Sequence, residues 1–94
     1  MLVIGLQVIE AALKRHAPAR GPVARWLKIT LESEWKNIVE VRRTFPTADA
    51  IKGTAWTCFN IGGGNYRLIT GIFYVSSTVR IEELLTHAEY DKKY

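Results

Sequence analysis

The chain has little cysteine and little histidine, which limits the chemistry available to it. Cys58 is the only cysteine, so an intramolecular disulfide and a cysteine-based zinc site are both excluded. Within "WTCFNI" this residue is better interpreted as a small apolar side chain than as a nucleophile. The two histidines, His16 and His87, fall on different predicted elements without a surrounding acidic cluster, so we expect no metal and no cofactor.

Long hydrophobic runs are also missing. The apolar start "MLVIGLQVIEAAL" lacks a basic segment and is interrupted by Glu10, and no apolar run of about 18 residues occurs elsewhere. We therefore expect neither a signal peptide nor a membrane span. Together with the single cysteine, this pattern favours a cytoplasmic protein.

The composition is that of an ordinary globular domain. The 94 residues are 48% hydrophobic and 23% charged, and the length predicts one domain over residues 1–94. The net charge is +4 and the isoelectric point is about 9.5. Such an excess of cations favours RNA, DNA, an anionic membrane or an acidic protein as a partner.

The first half of the chain has helical periodicity. After a short strand at Leu2–Ile4, apolar residues recur at helical spacing from Leu6 to His16 and again from Val23 to Glu32. The break "HAPARGP" between them predicts a helical hairpin. A third, shorter element is predicted in "NIVEVRRTFP", with Asn37 as its cap and Pro46 at its end.

The second half changes to a strand pattern. The segments Trp56–Ile61, Tyr66–Val75 and Thr78–Leu84 are rich in β-branched and aromatic residues. Gly62–Asn65 is predicted as a hairpin turn, because no helix and no Gly-Lys-Ser/Thr sequence follows it as a phosphate-binding loop would require. The predicted class is α+β, with an N-terminal helical hairpin packed on a small twisted antiparallel sheet and a short C-terminal helix.

Arg67 lies at the start of the second predicted strand, on a largely apolar face. Two interpretations stay open for it. The guanidinium can extend to the edge of the core, or it can be held as a bidentate donor to a phosphate.

The C-terminal segment "THAEYDK" combines a helix start with reactive side chains. Thr86 and Glu89 have the spacing of a capping box, so a short helix is predicted to begin here. His87 would then share a helix face with Tyr90 and Asp91, next to the anion-favouring first turn. These side chains either lie on the surface without a function, or they form a proton-transfer site for a bound phosphate.

Taken together, these segments resemble the HigB family of type II toxin–antitoxin toxins, within the RelE-like mRNA interferases. The resemblance covers nearly the whole chain. Its strongest parts are "FNIGGGNYRLI" (Phe59 to Ile69) and "THAEYDK" (Thr86 to Lys92), and a weaker part is "ESEWKNIVEVRRTFPTADAI" (Glu32 to Ile51).

The resemblance implies an activity and partners. Such toxins cleave mRNA, usually during translation on the ribosome, without a metal ion. A HigA-type helix-turn-helix antitoxin neutralises them, and operator DNA is bound only through the toxin–antitoxin complex. The implied chemistry is attack of an RNA 2′-OH on the adjacent phosphorus, which needs a base, an acid and positive charge at the phosphoryl oxygens.

The resemblance also implies roles for individual residues. Arg67 would stabilise the charged phosphorus centre, and His87 would be the first candidate for proton transfer. Tyr90 would position the sugar-phosphate or share the proton transfer, and Asp91 would orient His87. The further candidates for binding RNA or phosphate are Lys92, Arg80, Lys52 and Asn65.

Two other functions remain compatible with the sequence. A ParE-like inhibitor of DNA gyrase would share the general fold but would not need Arg67 or the His87–Tyr90 face. A non-catalytic RNA-binding module would keep the basic charge, with these side chains serving only structure.

Overall fold

The computed structural model describes residues 1–94, which form four α-helices, one short 3-10 turn and five strands. In chain order these are β1 (Leu2–Ile4), α1 (Leu6–Leu13), the 3-10 turn (Ala17–Ala19), α2 (Arg20–Glu32), α3 (Ile38–Thr44), β2 (Asp49–Ala50), β3 (Trp56–Ile61), β4 (Tyr66–Phe73), β5 (Thr78–Thr86) and α4 (His87–Lys93). None of the helices is both long and apolar enough to cross a bilayer.

The five strands form one mixed sheet in the order β1-β5-β4-β3-β2. The predicted antiparallel meander is confirmed for β3, β4 and β5. The prediction of a wholly antiparallel sheet is wrong, because β1 runs parallel to β5 and places Val3 beside Val79. The short strand β2, at Asp49–Ala50, has no strand pattern in the sequence and was not predicted.

The predicted N-terminal helical hairpin is also wrong. The sheet begins at the N-terminus with β1, and Gly5 turns the chain into α1 with a left-handed φ of 85°. Helix α1 packs against β5, whereas α2 packs against β1 and β3. Each helix thus buries its apolar stripe mainly on the sheet, because a parallel β1 requires the chain to pass over the sheet face.

The main core lies between α1, α2, α3 and one face of the sheet. Its centre is Phe59 on β3, which makes edge contacts with Trp26 and Phe45 at 5.3 Å each and stacks on Trp35 at 6.0 Å. All four rings are largely removed from water. These rings account for the aromatic content of the first half of the chain, since they fix α2 and α3 on the sheet.

The opposite face of the sheet carries a much smaller apolar cluster, made of Ile51, Cys58 and Ile69, with Trp56, Leu85 and Tyr90 packed around it. Alternation along β4 sends Leu68 and Thr70 to one face and Arg67 and Ile69 to the other. We call this second side the α4 face, because α4 covers part of it through Tyr90. Arg67 shares this side with Ile69, as the alternation in the sequence predicted, and the structure shows that this side is only thinly covered.

Candidate functional site

Helix α4 begins with the capping box that the sequence predicted. The Thr86 hydroxyl accepts a hydrogen bond from the Glu89 backbone N–H at 3.1 Å, and the Glu89 carboxylate accepts one from the Thr86 backbone N–H at 2.9 Å. The bond from the Thr86 N–H holds the pKa of Glu89 below its ordinary value, and the positive charges nearby act in the same direction. The box fixes where the helix starts and therefore which side chains share its faces.

The glycine hairpin is tied directly to this helix start. The backbone N–H of His87 donates to the carbonyl of Asn65 at 3.0 Å, and Tyr66 pairs with Thr86 across the sheet. Gly62, Gly63 and Gly64 have φ values of 64°, 67° and 95°, a left-handed run that other residues rarely adopt. The predicted hairpin turn is confirmed, and it brings Asn65 to the edge of the site through its backbone.

Arg67 is held by this same hairpin. Its Nη1 donates to the carbonyl of Gly64 at 2.5 Å and to that of Tyr66 at 3.3 Å. Its guanidinium carbon lies 5.7 Å from the centre of the Tyr90 ring, a cation–π distance. The guanidinium is half-buried and makes no ion pair, so its charge remains available to an anion.

Tyr90 packs onto the small apolar cluster that contains Cys58. Burial, followed by the Cys58 thiol, raises the pKa of Tyr90 above its ordinary value, against the opposing effect of Arg67. Burial also raises the pKa of the Cys58 thiol. The raised pKa keeps the tyrosine hydroxyl protonated, which disfavours a phenolate base at this position.

His87 and Asp91 form an exposed pair one turn apart on α4. The distance from His87 Nδ1 to Asp91 Oδ2 is 2.9 Å, and more than half of each side chain is exposed. A carboxylate at Nδ1 fixes the orientation of the ring and directs Nε2 towards solvent. The structure places His87, Tyr90 and Asp91 on one short helix, as the sequence predicted, and it places the Tyr90 ring against Arg67.

The remaining predicted phosphate ligands are spread unevenly. Lys52 lines a groove of about 530 Å³ with Tyr90 and Tyr94, which places it near Tyr90. Lys92 is exposed on α4 and forms no ion pair. Arg80 is not brought to Arg67, because its partner on β4 is Gly71, four residues further along the strand and thus about 13 Å away.

The structure adds three contacts that the sequence did not reveal. Cys58 lies beneath Tyr90, and Glu83 binds Lys93 at the end of α4 with a distance of 2.5 Å. His16 lies 3.9 Å from Glu89, with its ring centre 5.5 Å from that of Tyr66. Because each pair is joined by the packing of remote segments, no spacing in the sequence identifies it.

The arrangement is suited to an anion held beside a group that can transfer a proton. Arg67 supplies a positioned guanidinium, and His87 supplies an exposed imidazole at the same end of the sheet. This combination of a fixed cation and a nearby proton-transfer group is one that phosphoryl chemistry requires.

Comparison with known proteins gives the class and then the family. Residues 19–93 match the HigB_toxin family model, which describes the RelE-like toxic component of a toxin–antitoxin system. This match covers most of the chain, including both strands of the glycine hairpin and all of α4. The chain belongs to the HigB toxin family.

Two curated relatives agree with this family. The mRNA interferase HigB of Escherichia coli O6:H1 (strain CFT073) is 32% identical over 66 residues, which is 69% of this chain and 64% of that protein. The mRNA interferase toxin HigB of Escherichia coli K12 is 24% identical over 92 residues, which is 97% of this chain and 88% of that protein. The first match therefore spans somewhat less than two thirds of its relative, while the second spans most of it.

Proposed function

We propose that this chain is the toxin of a type II toxin–antitoxin pair and acts as an endoribonuclease that cleaves mRNA during translation on the ribosome. The observation that carries the proposal is the joint placement of Arg67 and His87. Arg67 is fixed by the carbonyls of the glycine hairpin, and the backbone of His87 is bound to Asn65 of the same hairpin. The names of the two relatives, both called mRNA interferase, support the same activity.

The proposed reaction uses the RNA 2′-OH as the nucleophile. As its oxygen forms a bond to the adjacent phosphorus, the bond to the 5′-oxygen of the next nucleotide breaks. The guanidinium of Arg67 would bind the phosphoryl oxygens, where negative charge increases in the transition state. The products would be a 2′,3′-cyclic phosphate and a free 5′-hydroxyl, so the step needs proton transfer but no metal.

His87 is the proposed proton-transfer residue. Its Nε2 points to solvent and Asp91 binds its Nδ1, so the ring can accept a proton at Nε2 and later donate it. Tyr90 is proposed to support Arg67 through its ring. The raised pKa of Tyr90 disfavours a direct part for its hydroxyl as a base.

The proposed RNA contacts surround this pair. Lys52 lines the groove beside Tyr90 and Lys92 is exposed on α4, and both would bind the sugar-phosphate backbone. Asn65 would offer its exposed side chain at the hairpin. We further propose a HigA-type helix-turn-helix antitoxin as the neutralising partner in the cytoplasm, with operator DNA contacted only through the complex.

The test is expression in bacterial cells with growth and mRNA 5′ ends measured together. We expect the wild type to arrest growth and to generate new 5′ ends within translated frames. Arg67→Ala and His87→Ala should each reduce cleavage by at least about a hundredfold. Arg43→Ala is the matched control, since Arg43 is an exposed arginine on α3, remote from the hairpin.

Growth arrest by the wild type with intact mRNA would overturn the nuclease proposal and favour a DNA gyrase target. Full cleavage by either variant, at equal protein level, would overturn the assigned role of that residue. Cleavage of naked RNA as fast as of translated mRNA would contradict the ribosome-dependent part alone.

A further inference from the structure

A second group of aromatic side chains, together with an arginine, lies on the α4 face, at the end of the sheet opposite to the hairpin. Trp56 on β3 and Arg80 on β5 both pair with Gly71 on β4, so the three residues form a row across the strands. Phe73 lies two residues beyond Gly71 on the same face. No helix covers this part of the sheet, and Phe73 is 44% exposed.

Gly71 makes room for this row. A Cβ atom at this position would lie 3.3 Å from the ring of Trp56 and 3.7 Å from Nη2 of Arg80. The indole ring therefore lies low over the strand, with the arginine beside it. A larger residue here would push both side chains away from the sheet.

The guanidinium of Arg80 is held in place, but only some of its N–H groups donate hydrogen bonds within the chain. Its Nε donates to both carboxylate oxygens of Glu82, at 2.8 and 3.3 Å. Its carbon lies 5.8 Å from the Trp56 ring and 5.1 Å from the Phe73 ring. Neither Nη group has an acceptor within the chain, although 42% of the side chain is exposed. A held guanidinium with free Nη donors between two rings is prepared for a ligand with both an acceptor and a flat face.

We propose that Trp56, Phe73 and Arg80 form a subsite for one nucleotide of the single-stranded RNA substrate, away from the cleaved bond. The base stacks on the exposed ring surface, and the Nη groups of Arg80 bind its phosphate or a carbonyl on its edge. This inference rests on the proposed function, because it takes the RNA bound at Arg67 to continue along the sheet.

Continuity with Arg67 favours RNA as the occupant. Both arginines lie on the α4 face, and the four residue steps along β4 from Arg67 to Gly71 separate them by about 13 Å. An extended strand of a few nucleotides spans that distance. Stacking on aromatic rings tolerates any base, which suits a contact that holds mRNA without selecting its sequence.

The intrinsic fluorescence of Trp56 provides a direct measurement. Trp26 and Trp35 are only 2% exposed, so quenching by an added ligand reports chiefly on Trp56. The His87→Ala variant is used as the background so that the RNA stays intact. It is titrated with a short single-stranded RNA and, separately, with the same sugar-phosphate chain lacking bases. We expect saturable quenching by the RNA and much weaker quenching by the chain without bases.

Two substitutions and one control test the named contacts on the same background. Arg80→Lys keeps the charge but loses the planar fork, and Phe73→Leu keeps apolar bulk but loses the ring. Each should weaken RNA binding by about tenfold. Val75→Ala, at a fully exposed apolar residue just beyond β4, should leave binding unchanged.

The inference is overturned if RNA leaves the Trp56 emission unchanged, or if both substitutions bind RNA as the control does. It is also overturned if a purified antitoxin shields Trp56 while RNA does not, which would identify the row as a protein interface. Failure of the proposed nuclease function would give a different result from failure of this inference. In that case wild-type protein would still bind RNA at Trp56 but would not cut translated mRNA.

Discussion

At the scale of single residues, Arg67 shows how the site is assembled from few contacts. Two backbone carbonyls of its own hairpin orient the guanidinium, and the Tyr90 ring lies against it at 5.7 Å. No carboxylate neutralises it. Arg80 is the opposite case, because Glu82 balances its charge while leaving its Nη donors free. Arginines on one sheet face thus differ in how far their charge is balanced, because their acidic neighbours differ.

The structure leads to a specific prediction for Tyr90. Its ring packs on the cluster around Cys58 and lies against Arg67, so we expect the ring to matter more than the hydroxyl. We expect Tyr90→Phe to reduce mRNA cleavage by less than about tenfold, and Tyr90→Ala by at least about a hundredfold. Cleavage rates on translated mRNA, measured with purified proteins of confirmed fold, provide the comparison.

A loss of more than about a hundredfold for Tyr90→Phe would contradict this prediction. It would mean that the hydroxyl acts directly on the substrate. Cys58→Val offers the complementary control, since it removes the thiol beneath Tyr90 while keeping an apolar side chain.

At the scale of elements, α4 is a short helix whose position depends on its first turn. It has no fully buried residue, so packing alone holds it weakly. The capping box at Thr86 and Glu89 and the bond from His87 to Asn65 supply local order. The helix that carries His87 is therefore sensitive to changes in its cap.

The lowered pKa of Glu89 predicts how α4 responds to acid. The carboxylate form accepts the Thr86 N–H, so its stabilising effect is complete at neutral pH. It is lost as the pH falls through the lowered pKa, below the ordinary glutamate value of about 4.3. We expect the ¹³Cα chemical shifts of α4 to move towards random-coil values in this range, while those of β4 stay constant.

Glu89→Gln is the matched variant for this measurement. Glutamine can still accept the Thr86 N–H but does not titrate, so the acid-dependent change in α4 should be much smaller. An equal change in the wild type and in Glu89→Gln would show that another group governs the helix at low pH.

At the scale of the whole molecule, the sheet separates two environments. One face is covered by α1, α2 and α3 and contains nearly all of the large buried side chains. The other carries a cluster of only three buried residues and remains partly open between α4 and β1. Stability is therefore concentrated on the face that has no part in the proposed chemistry, which leaves the other face free for arginines and exposed rings.

Gly5 joins β1 to the rest of the molecule and gives a test at this scale. A Cβ atom on Gly5 would lie 2.9 Å from the carbonyl oxygen of Ile81, and its φ of 85° is left-handed. Gly53 also has a left-handed φ, 78°, but a Cβ atom there would have no neighbouring atom within 4 Å. We expect Gly5→Ala to lower the free energy of unfolding by about 3 kcal/mol, and Gly53→Ala by only about 1 kcal/mol.

Urea denaturation of both variants and the wild type measures this difference. The two alanine variants carry the same φ penalty, so any excess for Gly5 reports the close approach of the β1–α1 turn to β5. Equal losses for both variants would mean that β1 shifts freely and that its pairing with β5 contributes little.

Local patterns explain the parts of the fold that the sequence predicted correctly. Alternation gave β3, β4 and β5, three glycines marked the hairpin, and the Thr86–Glu89 spacing gave the start of α4. Each depends on residues close together in the chain. The parallel pairing of Val3 with Val79 has no such local signature, which is why the sheet was predicted as wholly antiparallel and the helices as a hairpin.

The amino-acid sequence by itself determined which side chains share a strand or helix face, because backbone geometry repeats every two residues in a strand and every three to four in a helix. It thereby grouped His87 with Tyr90 and Asp91 and put Arg67 on an apolar face. Only the tertiary structure decided that these groups adjoin, that Cys58 lies under Tyr90, and that Arg80 belongs to a separate row. Those outcomes depend on strand order and on the packing of α4, which are set by contacts between remote segments.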